Sequence, residues 1–96
     1  MSVGIVAKLP IAEGKEKDFE PMFKQLMAIV AEKEPGNQLY ALHRPRDGSN
    51  VYVVMEQYDD QAALDAHGKS DEFRALSAKL GEFLAGAPTI EIYDAV

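Results

Sequence analysis

No cysteine occurs among the 96 residues. That absence excludes disulfides, thiolate nucleophiles, zinc fingers and iron–sulfur clusters together. Tryptophan is also missing, and only two histidines are present, His43 and His67. Two imidazoles cannot build a three-histidine metal centre within one chain, so no metal is expected. Positive charge is scarce: ten Lys and Arg stand against sixteen Asp and Glu, a net charge of −6. Without a basic cluster, neither nucleic acid nor an anionic membrane is an expected partner. No apolar run approaches the ~20 residues that span a bilayer. Met1-Ser2-Val3-Gly4 lacks the basic start and long apolar run of a secretory signal. A soluble cytoplasmic protein is therefore expected. There is no glycine-rich phosphate loop and no G-x-S-x-G elbow.

What is present is the composition of a globular domain: 47% hydrophobic and 27% charged residues, which excludes disorder. Residues 1–96 form one domain, since a second core does not fit in this length. A chain this short buries only ~60–65% of the surface its unfolded form exposes. Its stability margin is thin, and a dimer that hides more apolar surface is a natural remedy.

Residues 3–9 alternate, with Val3, Ile5, Ala7 and Leu9 on one side, and predict a strand ended by Pro10. Phe19, Met22, Phe23, Leu26, Met27 and Val30 recur at intervals of three and four, predicting an amphipathic helix over 16–34. Pro21 fits the first turn of that helix or else kinks it, and Pro35-Gly36 stops it. Residues 38–44 and 51–58 read as two strands of a hairpin around the turn 46–50. Asp59 or Asp60 caps a short helix carrying Ala63, Leu64 and His67, with a break at Gly68. Ser70 caps another helix, with Phe73, Leu76, Leu80, Phe83 and Leu84 on its apolar face and Gly86 and Pro88 at its end. Residues 89–93 make the last strand. The order β-α-β-β-α-β, with its second helical segment broken, is the ferredoxin-like split βαβ pattern, an α+β fold on a four-stranded antiparallel sheet.

The strands are apolar on both sides. Val51, Val53 and Met55 point one way, while Tyr52, Val54 and Tyr58 point the other. Helices cover only one face of such a sheet, so the second requires another cover. The same face of a second copy, related by a two-fold axis, is expected to supply it.

Few residues carry chemistry. His67 shares a helical face with Leu64, three residues earlier, and should be drawn inward with it. The break at Gly68 should leave the imidazole without a full packing layer above it. Histidine is the usual proton acceptor near neutral pH; the plainer reading is a surface or partly buried residue. Glu56 lies within an apolar strand, where a carboxylate is either a hydrogen-bonded structural acid or part of a site. Tyr40, Tyr52, Tyr58 and Tyr93 all fall in strands, as core residues or as donors to a ligand oxygen. His43 reads as solvated.

The run Glu56-Gln57-Tyr58-Asp59-Asp60-Gln61-Ala62-Ala63-Leu64-Asp65-Ala66-His67-Gly68-Lys69-Ser70-Asp71-Glu72-Phe73 resembles a signature of the antibiotic biosynthesis monooxygenase domain family. That signature is Glu-x-aromatic, a short spacer, then Ala-Leu-x-x-His-x-x-Ser-x-x-Phe. Pro35-Gly36-Asn37-Gln38-Leu39-Tyr40-Ala41-Leu42 resembles the family's entry into its second strand. The resemblance implies a ferredoxin-like fold forming a dimeric α+β barrel. It implies enzymes that oxygenate quinols or polycyclic phenols with dioxygen and no metal, haem or flavin. The small quinol monooxygenase branch looks most similar. Glu56, Tyr58, His67, Ser70 and Phe73 fall on the motif, with Ser70 and Phe73 in structural roles. Haem-degrading relatives use an Asn, a Trp and a His where this chain has Ala7, His67 and Ser77, so haem degradation is not expected. A Trp near the site of the antibiotic-tailoring branch also has no counterpart, which argues against a large polyketide.

On this resemblance His67 is the expected base or proton shuttle. Glu56 would orient it or hold a protonated site group, and Tyr58 or Tyr40 would position a substrate oxygen. Phe23, Met27, Phe73 and Leu76 would form the apolar wall. No cofactor is expected, and the partners are a small aromatic substrate, dioxygen and a second copy of the chain. Two alternatives use the same residues: a cofactor-free isomerase of a small carbonyl compound, and a non-enzymatic dimeric ligand-binding module.

Overall fold

Alternation in the first residues becomes strand β1 (Val3–Pro10), whose odd-numbered side chains are buried and whose even-numbered ones are not. It is followed by helix α1 (Glu16–Lys33), strands β2 (Asn37–His43) and β3 (Val51–Tyr58), helices α2 (Gln61–Gly68) and α3 (Asp71–Leu80), and strand β4 (Thr89–Asp94). This computed structural model describes all of residues 1–96. The strands form one antiparallel sheet in the order β2-β3-β1-β4. The predicted α+β, ferredoxin-like architecture is the observed one.

The register decides which side chains share a face. Ile5 pairs with Glu56 on one side and Ile92 on the other, Ala7 with Val54 and Ile90, and Tyr40 with Glu56. All therefore project toward the helices. The core is the layer between them: Phe19, Phe23, Leu26 and Val30 of α1 lie on Ile5, Ala7, Leu9, Tyr52, Val54 and Tyr58 of the sheet, with Leu76 from α3. The opposite sheet face carries Val6, Leu39, Val53, Met55 and Tyr93. Leu39, Met55 and Tyr93 are 43%, 41% and 50% exposed there.

Two local expectations are corrected. Pro21 sits in the second turn of α1, and the helix runs through it. Pro21 and Lys17, whose carbonyl loses its helical donor to the proline, both lie on the exposed side. Helix α3 ends at Leu80, with Gly81 at its C-cap, and does not continue through Leu84. The chain there turns back onto β1: Ala12 N–H donates to the Phe83 carbonyl (2.7 Å) and Ala85 N–H to the Pro10 carbonyl (2.8 Å). Phe83 and Leu84 still pack on the core, but from a turn.

The site depends on where α2 lies. Asp60 caps it by accepting from Ala63 N–H at 2.8 Å, and Ser70 caps α3 by accepting from Phe73 N–H at 3.1 Å. A side chain at Gly36 would place its Cβ 2.6 Å from the Ala63 Cβ. Glycine there lets α2 approach the end of α1.

Candidate active site

His67 lies in the last turn of α2 and is 4% exposed. The rings of Tyr40, Tyr58 and Phe73 surround it, with centroids 5.4, 5.2 and 5.3 Å away. The imidazole is thus packed on several sides, contrary to the expectation of a missing layer. The reason is that Ser70 restarts a helix at once, and Phe73 from its first turn stands edge-on to the ring.

Two carboxylates flank the imidazole at opposite nitrogens. Glu34 Oε1 is 2.7 Å from Nδ1, and Glu56 Oε1 is 3.8 Å from Nε2. The Tyr58 hydroxyl donates to Glu56 Oε1 at 2.7 Å. Burial pushes the Glu56 carboxyl above the usual carboxylate range, against the opposing hydrogen bond from Tyr58. Burial, reinforced by the carboxylates, also raises the Tyr40 and Tyr58 hydroxyls far above the tyrosine range. Both therefore stay protonated and can donate. Because the carboxylates lie on opposite sides of the ring, no trio of His, Asp or Glu converges to hold a metal ion.

Beside this cluster lies an apolar cavity of about 180 Å³. Phe23, Tyr40, Phe73 and Leu76 line it, together with Val54 and Leu80, and His67 and Glu56 are among the polar groups of its wall. An outer cleft of about 650 Å³ shares Glu56, His67, Phe73 and Ile90 with the cavity. The two titratable groups thus lie in the wall common to the inner space and its mouth. Ala7 and Ser77 also line the cavity.

Of the residues singled out in the sequence, His67, Glu56, Tyr40, Phe23, Phe73 and Leu76 meet around one space. Tyr58 is fully buried and acts on Glu56. Met27 is placed elsewhere: its sulfur accepts from Leu42 N–H at 3.4 Å, under β2. The sequence reading missed Glu34, the C-cap residue of α1. One signal pointed to it: an acid at a helix C-terminus opposes the helix dipole, so such a position calls for another partner.

Comparison with known proteins bears on the fold and the family. No curated protein matches the sequence. A Caulobacter crescentus CB15 protein, described in connection with antibiotic biosynthesis monooxygenases, is 42% identical with a TM-score of 0.95, over 99% of this chain and 90% of that one. A conserved Methanosarcina mazei Go1 protein is 27% identical with a TM-score of 0.88, over 97% and 91%. Rv0793 from Mycobacterium tuberculosis, 21% identical over 100% and 96%, has a TM-score of 0.89 and shares the fold. The model of one family, antibiotic biosynthesis monooxygenase, matches residues 2–79, a stretch that runs from β1 to the penultimate residue of α3 and holds every polar residue of the His67 cluster; the chain belongs to that family.

Proposed function

We propose that this protein is a cofactor-independent monooxygenase that oxidises a small quinol or phenolic aromatic with dioxygen. The observation that carries this is a buried imidazole, flanked by two carboxylates, in the wall of an apolar cavity of about 180 Å³. A dry apolar cavity of ~150 Å³ accommodates benzene, so the inner space suits a single aromatic ring, and larger substrates extend into the outer cleft.

His67 takes the proton of a phenolic hydroxyl, and the resulting electron-rich phenolate reduces dioxygen directly. Recombination at a ring carbon bearing hydrogen gives a peroxide, which collapses to a quinone carbonyl and water. One oxygen atom enters the product. The other leaves as water with the hydrogens lost from the ring carbon and the hydroxyl, so no external reductant is consumed. The protein's part is to bind the ring, hold the proton and exclude bulk water. Tyr40, at the cavity wall, is the donor that positions a substrate oxygen.

We also propose that the protein acts as a homodimer joined through the sheet face that bears Leu39, Met55 and Tyr93, since the helices cover only the other face. Light scattering should give twice the 10.6 kDa chain mass at micromolar concentration. A monomer there contradicts the assignment of this face.

The activity is tested by oxygen uptake with a panel of mono- and bicyclic quinols, using protein purified with chelator. One dioxygen per turnover, a quinone product carrying one oxygen atom from labelled dioxygen, and no hydrogen peroxide are expected. Absence of uptake across the panel, with solvent deuterium entering a keto compound, assigns the site to isomerisation instead.

A further inference from the structure

We infer that Glu34 is a positioning residue that holds His67 with its proton on Nδ1, leaving Nε2 as the atom that meets the substrate hydroxyl. The inference rests on the reading of His67 as proton acceptor and adds a residue and an atom to it.

The two nitrogens are not equivalent. Nδ1 lies 2.7 Å from Glu34 Oε1, a full hydrogen bond, whereas Nε2 lies 3.8 Å from Glu56 Oε1, beyond hydrogen-bond reach. An ionised carboxylate only accepts, so the short contact places the ring proton on Nδ1. Nε2 keeps its lone pair on the side of Glu56, which lines the cavity while Glu34 does not. A substrate hydroxyl in the cavity lies beside this pair, within hydrogen-bond reach of both Nε2 and Glu56, and gives its proton to the ring. Glu56, its carboxyl raised by burial and already accepting from Tyr58, is then free to interact with substrate rather than to orient the histidine.

A second observation sets Glu34 apart from an ordinary capping acid. Its Oε2 is buried without any hydrogen-bond partner. Leaving a buried acceptor unsatisfied is destabilising, and the helix dipole opposes a negative charge at this end. Lys33, the neighbouring cation on α1, lies 3.9 Å from Glu72 of α3. What Glu34 does have is His67. In serine hydrolases a carboxylate fixes the tautomer of the catalytic histidine, and losing that control lowers turnover by ~10⁴-fold. The arrangement here has the same physical content on an unrelated fold.

The test reads the tautomer directly, by nitrogen-15 NMR of His67, with His43 assigned through His43→Gln. Wild-type protein should show Nδ1 protonated and Nε2 unprotonated at a pH where the ring is neutral. Glu34→Gln keeps an acceptor oxygen at the same place. It should retain the tautomer and hold kcat/KM within about tenfold of wild type, the effect residing in kcat. Glu34→Ala should mix the tautomers and lower kcat by about 10²-fold or more with little change in KM. Circular dichroism on both variants separates this from unfolding. If Glu34→Ala does not fold, wild type and Glu34→Gln still decide the matter. A wild-type ring protonated on Nε2, or a folded Glu34→Ala with an unchanged tautomer, overturns the inference. Oxygen uptake tests the chemistry separately: a correct tautomer with no uptake removes the proposed reaction and leaves the role of Glu34 standing.

Discussion

Helix α1 carries a carboxylate near each end, one bonded to the sheet and the other to α2, and the two clusters use similar groups to different effect. Glu20 accepts from the Tyr52 hydroxyl and pairs with Arg44. About four turns and ~21 Å further along the helix, Glu34 meets His67, beside the Tyr58–Glu56 hydrogen bond. Each cluster holds an acid from α1 and a buried tyrosine of β3, but Tyr52 donates to Glu20 itself, whereas Tyr58 donates to Glu56 and Glu34 meets His67 of α2. They differ in the cation. Arg44 is always charged and 68% exposed, so Glu20 is neutralised at the surface and its carboxyl is held at about 2, first by Arg44 and then by Tyr52. At the other end the only basic group is an imidazole, two carboxylates compete for it, and burial raises Glu56. A permanent cation makes a clamp. A titratable one, buried beside a cavity, makes a group that can exchange a proton.

The largest contrast should come from removing the central group of each cluster. His67→Ala is expected to lower turnover by ~10²–10⁴-fold, measured per folded molecule because its three aromatic neighbours lose packing. Glu20→Ala should leave turnover unchanged and lower the unfolding midpoint in denaturant. Full activity in folded His67→Ala removes the distinction between the two ends.

Gly36→Ala tests whether the second cluster depends on the approach of α2. Its Cβ would meet Ala63 at 2.6 Å, so either the turn at Gly36 or α2, with His67, must shift. Overpacking of this kind costs ~1–3 kcal/mol, and misplacing a reacting group by about 1 Å costs up to ~10²-fold in rate. A variant with wild-type kinetics would show that the site tolerates displacement of its helix.

Deleting one hydroxyl at each end gives a smaller effect. Tyr58→Phe leaves Glu56 Oε1 without its donor in a buried setting, at a cost of ~1–3 kcal/mol. Tyr52→Phe leaves Glu20 paired with Arg44 and should cost ~0.5–1.5 kcal/mol. Chemical denaturation ranks them, and only Tyr58→Phe should alter turnover. The reverse ranking breaks the comparison.

The pH dependence of stability should be smallest and of opposite sign at the two ends. Glu20 has a folded pKa of about 2 against an ordinary 4.5, so its contribution is present above the ordinary value and is lost as pH falls toward about 2. Glu56 has a raised folded pKa, so its contribution is present below the ordinary value and is lost as pH rises through the folded one. Glu20→Gln should therefore flatten the acid limb of a thermal-stability profile. Glu56→Gln should flatten the decline on the other side while impairing turnover.

The sequence alone makes legible the element order, the alternation of β1 and β3, the long face of α1, a cap at Asp59 or Asp60 and the cap at Ser70. These rest on local periodicity and on hydrogen bonds between near neighbours. It also made His67 and Glu56 visible, because a titratable residue among apolar ones is conspicuous. That Glu34 belongs with them emerges only in the folded chain. Glu34 and His67 are 33 residues apart, and Glu-Lys-Glu at a helix end reads like any solvated charge run. Their meeting needs α2 seated over the end of α1, which the absent side chain at Gly36 permits. The end of α3 was likewise decided at a distance: Phe83 and Leu84 keep helical spacing in sequence, but the Phe83 carbonyl and the Ala85 N–H find their partners on Ala12 and Pro10. Met27 kept its place on the apolar face of α1, and the tertiary structure set it beneath β2. Periodicity specifies which side of a helix is buried; what that side is buried against is settled by packing between elements far apart in the chain.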